Sequence, residues 1–311
     1  MKDFAIVSDT SCDLIKPLRE RFDIDDIIGG LVYLPDGKCI VSDLNWVTYN
    51  PKDFFESMKN KNVEYKTSCA PAGDIMNVFE KQLKAGKDIL CITLSSALSG
   101  TYQTCELVKK QILERYPERK IICVDSMRYS TALSMLVIEA ALKRDEGFTL
   151  EETAEYIDKN KHCLHQCGPM DDLFFLCKTG RISNFKALFG TLVGINPIAD
   201  FNRGGLSEVL GKFKGKKLAF DAVIEYMKKT VKNPKDQIIF VAHSNRPAHA
   251  ELLREMIIKE FEPKEVIINH IGMSCGVSIG PGLCAAFYWG EEISEDMSRE
   301  KAIMNEIAKN K

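Results

Sequence analysis

The 311-residue chain is 45% hydrophobic and 28% charged, proportions typical of a globular protein long enough for two domains. Its formal net charge of -2 argues against broad nucleic-acid binding, because no excess of lysine and arginine is present to neutralise phosphates. An acidic residue comes too early for a signal peptide, and no apolar run approaches the roughly 20 residues that cross a bilayer. We therefore expect a cytoplasmic protein with no integral membrane segment.

Strands and helices are predicted to alternate through the first half of the chain. The apolar run Phe4–Val7 predicts a strand that ends in a polar turn, Ser8–Asp13. Pro35-Asp36-Gly37 separates two short β-forming runs and predicts a hairpin. Asn50-Pro51 is typical of a helix start, and Thr67-Ser68 is expected to begin a further helix. The apolar face of that further helix carries Ile75, Met76, Phe79 and Leu83.

The stretch Asp88–Tyr102 is central to the functional interpretation. Ile89–Leu94 predicts a buried strand that stops in the hydroxyl-rich turn Ser95–Thr101, which we call the serine turn. A helical pattern begins after it. Such a turn places several O–H donors beside unpaired backbone N–H groups, at the positive end of the helix dipole. The stretch therefore predicts a site for a carboxylate or phosphate oxygen, with plain helix capping as the alternative.

Other strand ends are predicted to join this turn. Ile121–Val124 is the next strand and ends in Asp125-Ser126, and an almost wholly apolar helix follows. A capping box at Thr149 begins a surface helix. Alternating strands and helices predict a parallel sheet, whose carboxyl ends share one edge. We expect Ser8–Ser11, the serine turn and Asp125-Ser126 to converge there, together with Thr67-Ser68.

A second α/β domain is predicted from about Asp171. Asp171–Leu176 has the pattern of a strand, Asn202–Gly205 that of a turn, and Lys212–Lys217 is basic. Phe185–Phe189 and Leu192–Ile198 form an apolar stretch. Further predicted helices are Ala219–Val231, Ala248–Phe261 and Ser298–Ala308, and further predicted strands are Ile238–Ala242, Val266–His270 and Leu283–Trp289.

The predicted fold class is therefore α/β, with two domains. Residues 1–170 are expected to form a mainly parallel sheet with flanking helices, and residues 171–290 a domain with a mixed sheet. Residues 291–311 are expected to form a charged helical extension. No linker rich in Gly, Ser or Pro separates the domains, so we expect them to pack against each other.

The eleven cysteines are interpreted as reduced thiols, mostly filling cores, since no secretory signal accompanies them. The cluster His162–Cys167 faintly resembles a metal site, but no second ligand pair stands at a usual zinc spacing. We expect neither a metal nor a cofactor.

A series of motifs, in order from residue 4 to about 290, resembles the DegV family of bacterial fatty-acid-binding proteins. Each motif is weak alone, whereas the ordered set is specific. The motifs are Ser8–Leu14, Thr67–Asp74, Leu94–Gln103, Val124–Ser126, Asp172–Leu176 with Gly180–Ser183, Asn196–Ile198 and Gly280–Gly282.

The resemblance implies that a long-chain fatty acid lies in a tunnel between the two domains and that the protein catalyses nothing. It implies that the lipid carboxylate is held by Thr67 and by Ser96 or Ser99. Ser68, Ser95 and Gly100 are expected in the same ligand-binding site. Arg181 matches a family arginine, for which a carboxylate contact and an interdomain salt bridge are equal alternatives. Several members present the carboxylate to a fatty-acid kinase, and Lys212 and Lys214 match a basic turn linked to that partnership.

The chain departs from the family pattern at three places. Ser278 stands where the family usually has a histidine, so a hydroxyl can still donate to a carboxylate but carries no charge. Cys69 and Ala70 replace a glutamine and a proline, and Thr131–Ser134 replaces a glycine-containing segment. These departures bear on ligand choice and on kinase coupling more than on the fold.

Two other classes of function are open. A small-ester hydrolase or phosphotransferase would use Asp9, Asp125 or a loop serine, although acids at strand ends more often cap helices or fix loops. A regulatory or redox protein would use its thiols. Neither alternative has a nucleophile–base pair or a reactive cysteine that stands out in the sequence.

Overall fold

The structure is a computed structural model that describes residues 4–183 and 194–310. Its contacts form two compact units. The first lies within Met1–Tyr49, Glu64–Lys161 and Gly272–Cys275, and the second within Asn50–Val63, His162–Ile271 and Gly276–Lys311. This grouping describes contacts and not independently folding segments, so the ranges 1–170, 171–290 and 291–311 stay a prediction.

The elements of the first 160 residues follow the predicted order. The strands are β1 (Phe4–Asp9), β2 (Asp26–Ile28), β3 (Leu31–Tyr33), β4 (Cys39–Val41), β5 (Lys66–Ser68), β6 (Asp88–Thr93) and β7 (Ile121–Asp125). The helices are α1 (Lys16–Arg21), α2 (Pro51–Ser57, counted with the second unit), α3 (Ala72–Lys84), α4 (Thr101–Leu113), α5 (Thr131–Asp145) and α6 (Leu150–Asn160).

The main sheet of the first unit is parallel, as predicted. Its strands run in the order β2-β1-β6-β7, and Val7, Cys91 and Cys123 lie side by side on neighbouring strands. The apolar faces of α3 and α4 contribute to one buried cluster with these strands. Helix α5 is buried along most of its length, which confirms the interpretation of its almost wholly apolar sequence. The capping box at Thr149 is also present.

A small antiparallel sheet, in the order β4-β3-β5, contains the predicted hairpin. Thr67 and Ser68 lie in β5, opposite Val32 and Leu31, so the prediction that they begin a helix was wrong. The helix starts only at Ala72, because Pro71 disfavours helical geometry in the residue before it and leaves 66–68 extended to pair with β3.

The remaining elements build the second unit. The strands are β8 (Leu164–Pro169), β9 (Ile195–Phe201), β10 (Ser207–Lys214), β11 (Ile238–His243), β12 (Glu265–His270) and β13 (Cys284–Trp289). The helices are α7 (Phe174–Thr179), α8 (Lys216–Thr230), α9 (Pro247–Phe261), α10 (Met273–Ile279, divided between the units) and α11 (Ser298–Lys309).

The sheet of the second unit is mixed, as predicted. Its order is β10-β9-β8-β13-β11-β12, and the pair β11–β12 is parallel while the other pairs are antiparallel. Helix α11 packs on the edge strand β10, where Gly211 leaves space for the Met304 side chain and Lys301 pairs with Glu208. Helix α11 therefore packs on the same part of the sheet as α8, with which it is also in contact.

Asp171–Leu176 was predicted to be a strand, and this prediction was wrong. The Asp172 carboxylate accepts the N–H of Phe174 and starts helix α7, which ends at Gly180 in a left-handed conformation with φ 70°. Two aromatic residues in a short apolar run are typical of a strand. The contacts at the two ends of this segment stabilise a short helix instead. The predicted apolar residues Phe185–Phe189, Leu192 and Val193 lie outside the described residues.

Strand β8 runs through most of the cluster His162–Cys167, where the sequence predicts no strand. His165 is fully buried, with Nδ1 2.6 Å from Asp200 Oδ2 and Nε2 2.7 Å from the Glu291 carbonyl oxygen. Its ring stacks on Tyr288 at a centroid distance of 5.3 Å. Both imidazole nitrogens are therefore engaged, and among the residues that the structure describes no group of three His, Cys, Asp or Glu side chains is arranged to hold a metal.

Within 4–183 and 194–310, no helix combines the length and apolar composition that a bilayer span requires.

Candidate functional site

The carboxyl ends of β1, β6 and β7 carry the polar turns that the sequence singled out. Asp9 ends β1 and is buried, with one carboxylate oxygen 2.7 Å from the Ser11 backbone nitrogen and the other 2.9 Å from that of Leu94. Burial raises the pKa of Asp9 above its ordinary value, and the two N–H donors oppose that rise. Asp9 therefore ties the turn after β1 to the turn after β6.

Asp125 has a similar role at the end of β7. Its Oδ1 accepts the backbone N–H groups of Ser96 and Met127, each at 3.1 Å, and its carbonyl oxygen accepts Lys161 Nζ at 3.0 Å. Asp9 and Asp125, the two acids named for the hydrolase alternative, both hold loops in place. We call the three turns that they hold, residues 9–12, 94–101 and 125–130, the hydroxyl edge.

The serine turn presents its hydroxyls in different ways. Ser95 is buried, and its Oγ accepts the Ala97 N–H at 3.3 Å. Ser99 Oγ accepts the Thr101 N–H at 3.3 Å and lies 2.9 Å from Thr101 Oγ1, so it caps α4. The Ser96 hydroxyl is half-buried and makes no hydrogen bond to another described residue. Gly100 is exposed, and its carbonyl oxygen accepts from Thr104. Ser96 is therefore the serine of this turn whose hydroxyl has no internal role.

A second group of hydroxyls surrounds Gly30, between β2 and β3. The Gly30 N–H donates to Thr10 Oγ1 at 3.0 Å, and Thr10 Oγ1 lies 3.2 Å from Ser274 Oγ. A Cβ on Gly30 would stand 2.9 Å from Thr10 Oγ1 and 3.5 Å from the Ser68 carbonyl oxygen. These contacts place β5, with its exposed Thr67 and Ser68, beside the turn that follows β1. Thr10 lies in a turn that the sequence predicts, whereas nothing local to Ser274 in the sequence indicates this contact.

Charged groups are also buried next to the hydroxyl edge. Arg128 is fully buried, its carbonyl oxygen accepts the Ser95 N–H at 2.8 Å, and its Nη1 donates to the Met127 carbonyl oxygen at 2.8 Å. Asp13 accepts the Ser130 hydroxyl, and burial raises the pKa of Asp13 to about 7. A buried guanidinium, together with a carboxyl group that resists ionisation, favours an anion over a cation at this edge.

The other predicted site residues lie in the second unit. The Arg181 guanidinium donates to the Thr179 carbonyl oxygen just after α7. Ser278 lies in α10 and is half-buried. Lys212 and Lys214 are exposed on β10 and flank the buried Phe213. Their roles in binding a carboxylate or a partner stay predictions.

The family model and the relatives that match this chain all name the same family. A family model described as "Uncharacterised protein, DegV family" matches residues 3–291. A DegV domain-containing protein of Clostridium perfringens is 31% identical, over 94% of this chain and 99% of its own. Another, of Streptococcus pyogenes, is 27% identical over 93% of this chain and 98% of its own.

Solved structures with the same fold include proteins that bind fatty acids. A DegV family protein of Thermus thermophilus, described by its fatty acid binding, has a TM-score of 0.82 at 23% identity and covers 93% of this chain and 99% of its own. The Fatty Acid Kinase B3 protein of Streptococcus pneumoniae, loaded with linoleic acid, has a TM-score of 0.77 at 22% identity and covers 92% and 99%. At these identities the likeness shows the shared fold.

The raised pKa of Asp13 predicts a pH dependence of stability. Between about pH 4 and pH 7 the folded state retains a proton that the unfolded state, with an ordinary pKa of 3.8, has released. The free energy of unfolding should therefore fall as the pH rises through this window, by up to about 4 kcal/mol. Asp13→Asn should reduce that fall, measured by urea unfolding in a Trp289→Phe background that leaves Trp46 as the remaining tryptophan.

The control is Asp36→Asn, at an exposed aspartate whose pKa is lowered by hydrogen bonding to Lys38. In this variant the free energy of unfolding should fall with pH as steeply as in the wild-type protein. An unchanged slope in Asp13→Asn would show that this carboxyl group does not control the pH dependence.

Proposed function

The chain belongs to the DegV family, and from that membership we propose that it is a carrier that binds one long-chain fatty acid and catalyses no reaction itself. The carboxylate is bound at the hydroxyl edge, and the acyl chain occupies an apolar tunnel. The observation that carries the proposal is how roles are divided among the side chains of the hydroxyl edge and of strand β5 beside it. The carboxylates of Asp9 and Asp125 hold the loops, while the hydroxyls of Ser96 and Thr67 have no partner among the described residues.

The strength and the orientation of binding come from different parts of the ligand. Burying a sixteen-carbon chain contributes on the order of 11 kcal/mol, at about 0.8 kcal/mol per methylene. A hydrogen bond from a hydroxyl to a charged carboxylate contributes only about 1.5–3 kcal/mol. The chain therefore supplies most of the affinity, and the hydroxyls direct the carboxylate.

The head-group contacts that we propose come from two segments of the first unit. Thr67 and Ser68 on β5 and Ser96 and Ser99 in the serine turn donate to the carboxylate, while Ser95 and Gly100 shape the turn. The buried Arg128, which the sequence interpretation missed, adds positive charge nearby. The solved relatives loaded with linoleic acid or described by fatty acid binding support this choice of ligand.

We further propose that the bound carboxylate is presented to a fatty-acid kinase. The similarity to a Fatty Acid Kinase B3 protein supports this partnership. Lys212 and Lys214 are exposed on an edge strand, where their charges are accessible to an acidic surface of a partner. Ser278 stands in place of the family histidine, and its hydroxyl would donate a hydrogen bond to the carboxylate without adding charge.

The hydrolase alternative has less support. A serine nucleophile needs a general base, most often a histidine, within hydrogen-bond reach. All five histidines of the chain belong to the second unit, so the first unit provides no imidazole to a serine of the hydroxyl edge. Both carboxylate oxygens of Asp9 and Oδ1 of Asp125 already accept backbone N–H groups.

The two functions are separated by native mass spectrometry of protein purified from cells without added lipid. A carrier should show an added mass equal to one long-chain fatty acid and no turnover of p-nitrophenyl acetate or p-nitrophenyl phosphate. Lipid-free protein that turns over either substrate, with the rate lost in Asp125→Asn, would contradict the carrier function.

Substitutions in the serine turn test the division between affinity and orientation. Ser96→Ala should weaken fatty acid binding by roughly tenfold, the value of one charged hydrogen bond, without changing stability. Ser99→Ala should in addition cost about 1 kcal/mol of stability, because its hydroxyl caps α4. Fluorescent fatty acid displacement and urea unfolding measure these effects. Complete loss of co-purifying lipid in the double variant would contradict this division.

A further inference from the structure

The second unit contains a polar pocket that the proposed function does not use. The pocket is partly open to solvent and lies among the ends of β8, β9, α8 and α9. It is much smaller than a site for a drug-sized ligand, so it suits a small ion or group. Side chains that bring charge or hydrogen-bonding capacity to it are Asp171, Asn196, Lys216, Arg246 and His249.

One acidic residue arranges two cationic side chains around this pocket. Asp171 Oδ1 lies 3.3 Å from Lys216 Nζ, and Asp171 Oδ2 pairs with the Arg246 guanidinium. Gly282 allows this arrangement, because its φ is +108° and a Cβ there would stand 2.7 Å from the Asp171 Cβ and Cγ atoms. Asp171 neutralises one of the two positive charges, so the pocket retains a net positive charge.

One buried donor of the pocket lacks a protein acceptor. Arg246 Nε is buried and has no hydrogen-bond partner in the described part of the chain. An unsatisfied buried donor of this kind is costly and indicates a missing acceptor. Asn196 is 5% exposed and lines the pocket beside it.

His249 and Cys284 also line the pocket, and its positive charges act to lower the pKa of each. Burial lowers the pKa of His249, and the nearby charges of Lys216 and Arg246 lower it further. Burial raises the pKa of Cys284 to about 12, against the opposing pull of the same two cations. The His249 ring stacks on Phe220 at a centroid distance of 5.8 Å, which fixes its position in the wall.

We propose that this pocket, where Lys216, Arg246 and Asn196 meet around Asp171, is a binding site for a phosphate-type oxyanion. Guanidinium and ammonium groups are the usual protein partners of phosphate, and the Asn196 amide adds a neutral donor. The Asp171 carboxylate orients the two cations and limits the preferred charge of the ligand to about one. This site belongs wholly to the second unit and does not depend on the proposed fatty acid function.

Lys216 and Lys217 offer a matched pair of variants for the test. Lys216 lines the pocket, whereas Lys217 is its exposed neighbour on the same helix, so Lys216→Gln and Lys217→Gln change the overall charge equally. Isothermal titration with sodium phosphate at constant ionic strength should show saturable binding of one ion to the wild-type chain. Lys216→Gln should weaken this binding at least about tenfold, and Lys217→Gln should leave it unchanged.

A second variant and two further ligands complete the experiment. Asn196→Asp keeps the side-chain shape but adds a second carboxylate, and it should abolish phosphate binding while circular dichroism and co-purifying lipid remain unchanged. Glycerol 3-phosphate that binds more tightly than phosphate would identify the head of a larger phosphomonoester as the ligand, and weaker binding would identify the free ion. The proposal would be overturned by no saturable phosphate binding, by equal binding of acetate, or by equal effects of the two lysine substitutions.

Discussion

The buried Asp9 carboxylate is the contact on which the organisation of the candidate site depends. It accepts N–H groups from its own turn and from the turn after β6, so two strand ends share one carboxyl group. Asp125 repeats the arrangement between the turns after β6 and β7. A buried charge is tolerated when hydrogen-bond donors compensate its desolvation, and here those donors are the backbone groups of the loops themselves.

In the proposed function, this use of the acids leaves the direct contacts with the ligand to neutral hydroxyl groups. A hydroxyl donates to a carboxylate at little desolvation cost, and it releases the ligand more readily than a buried ion pair would. Such a head-group site suits a carrier, which must hold an acid in one orientation and later give it up. Apolar contact with the acyl chain supplies the affinity that the hydroxyls do not, at roughly 0.8 kcal/mol per methylene. The weak polar site and the apolar tunnel are therefore complementary parts of one proposal.

Much of this architecture could be predicted from local sequence patterns. The strand, turn and helix at Asp88–Leu113 and the capping box at Thr149 follow from neighbouring residues, and the structure confirms them. The strand at Thr67 was missed because three residues become a strand only through pairing with β3. The contact between Thr10 and Ser274 joins residues 264 positions apart, so only the fold reveals it. The phosphate pocket likewise depends on tertiary approach, since Gly282 and Asp171 are distant in sequence.

The central claim is that the hydroxyl edge binds the carboxylate of a fatty acid. A crystal structure of the protein with palmitate tests it most directly. The account predicts the carboxylate oxygens at about 2.5–3.2 Å from the hydroxyl of Thr67 and from that of Ser96 or Ser99. A carboxylate bound elsewhere, with Thr67 and both of these serines in contact with water or protein alone, would contradict it.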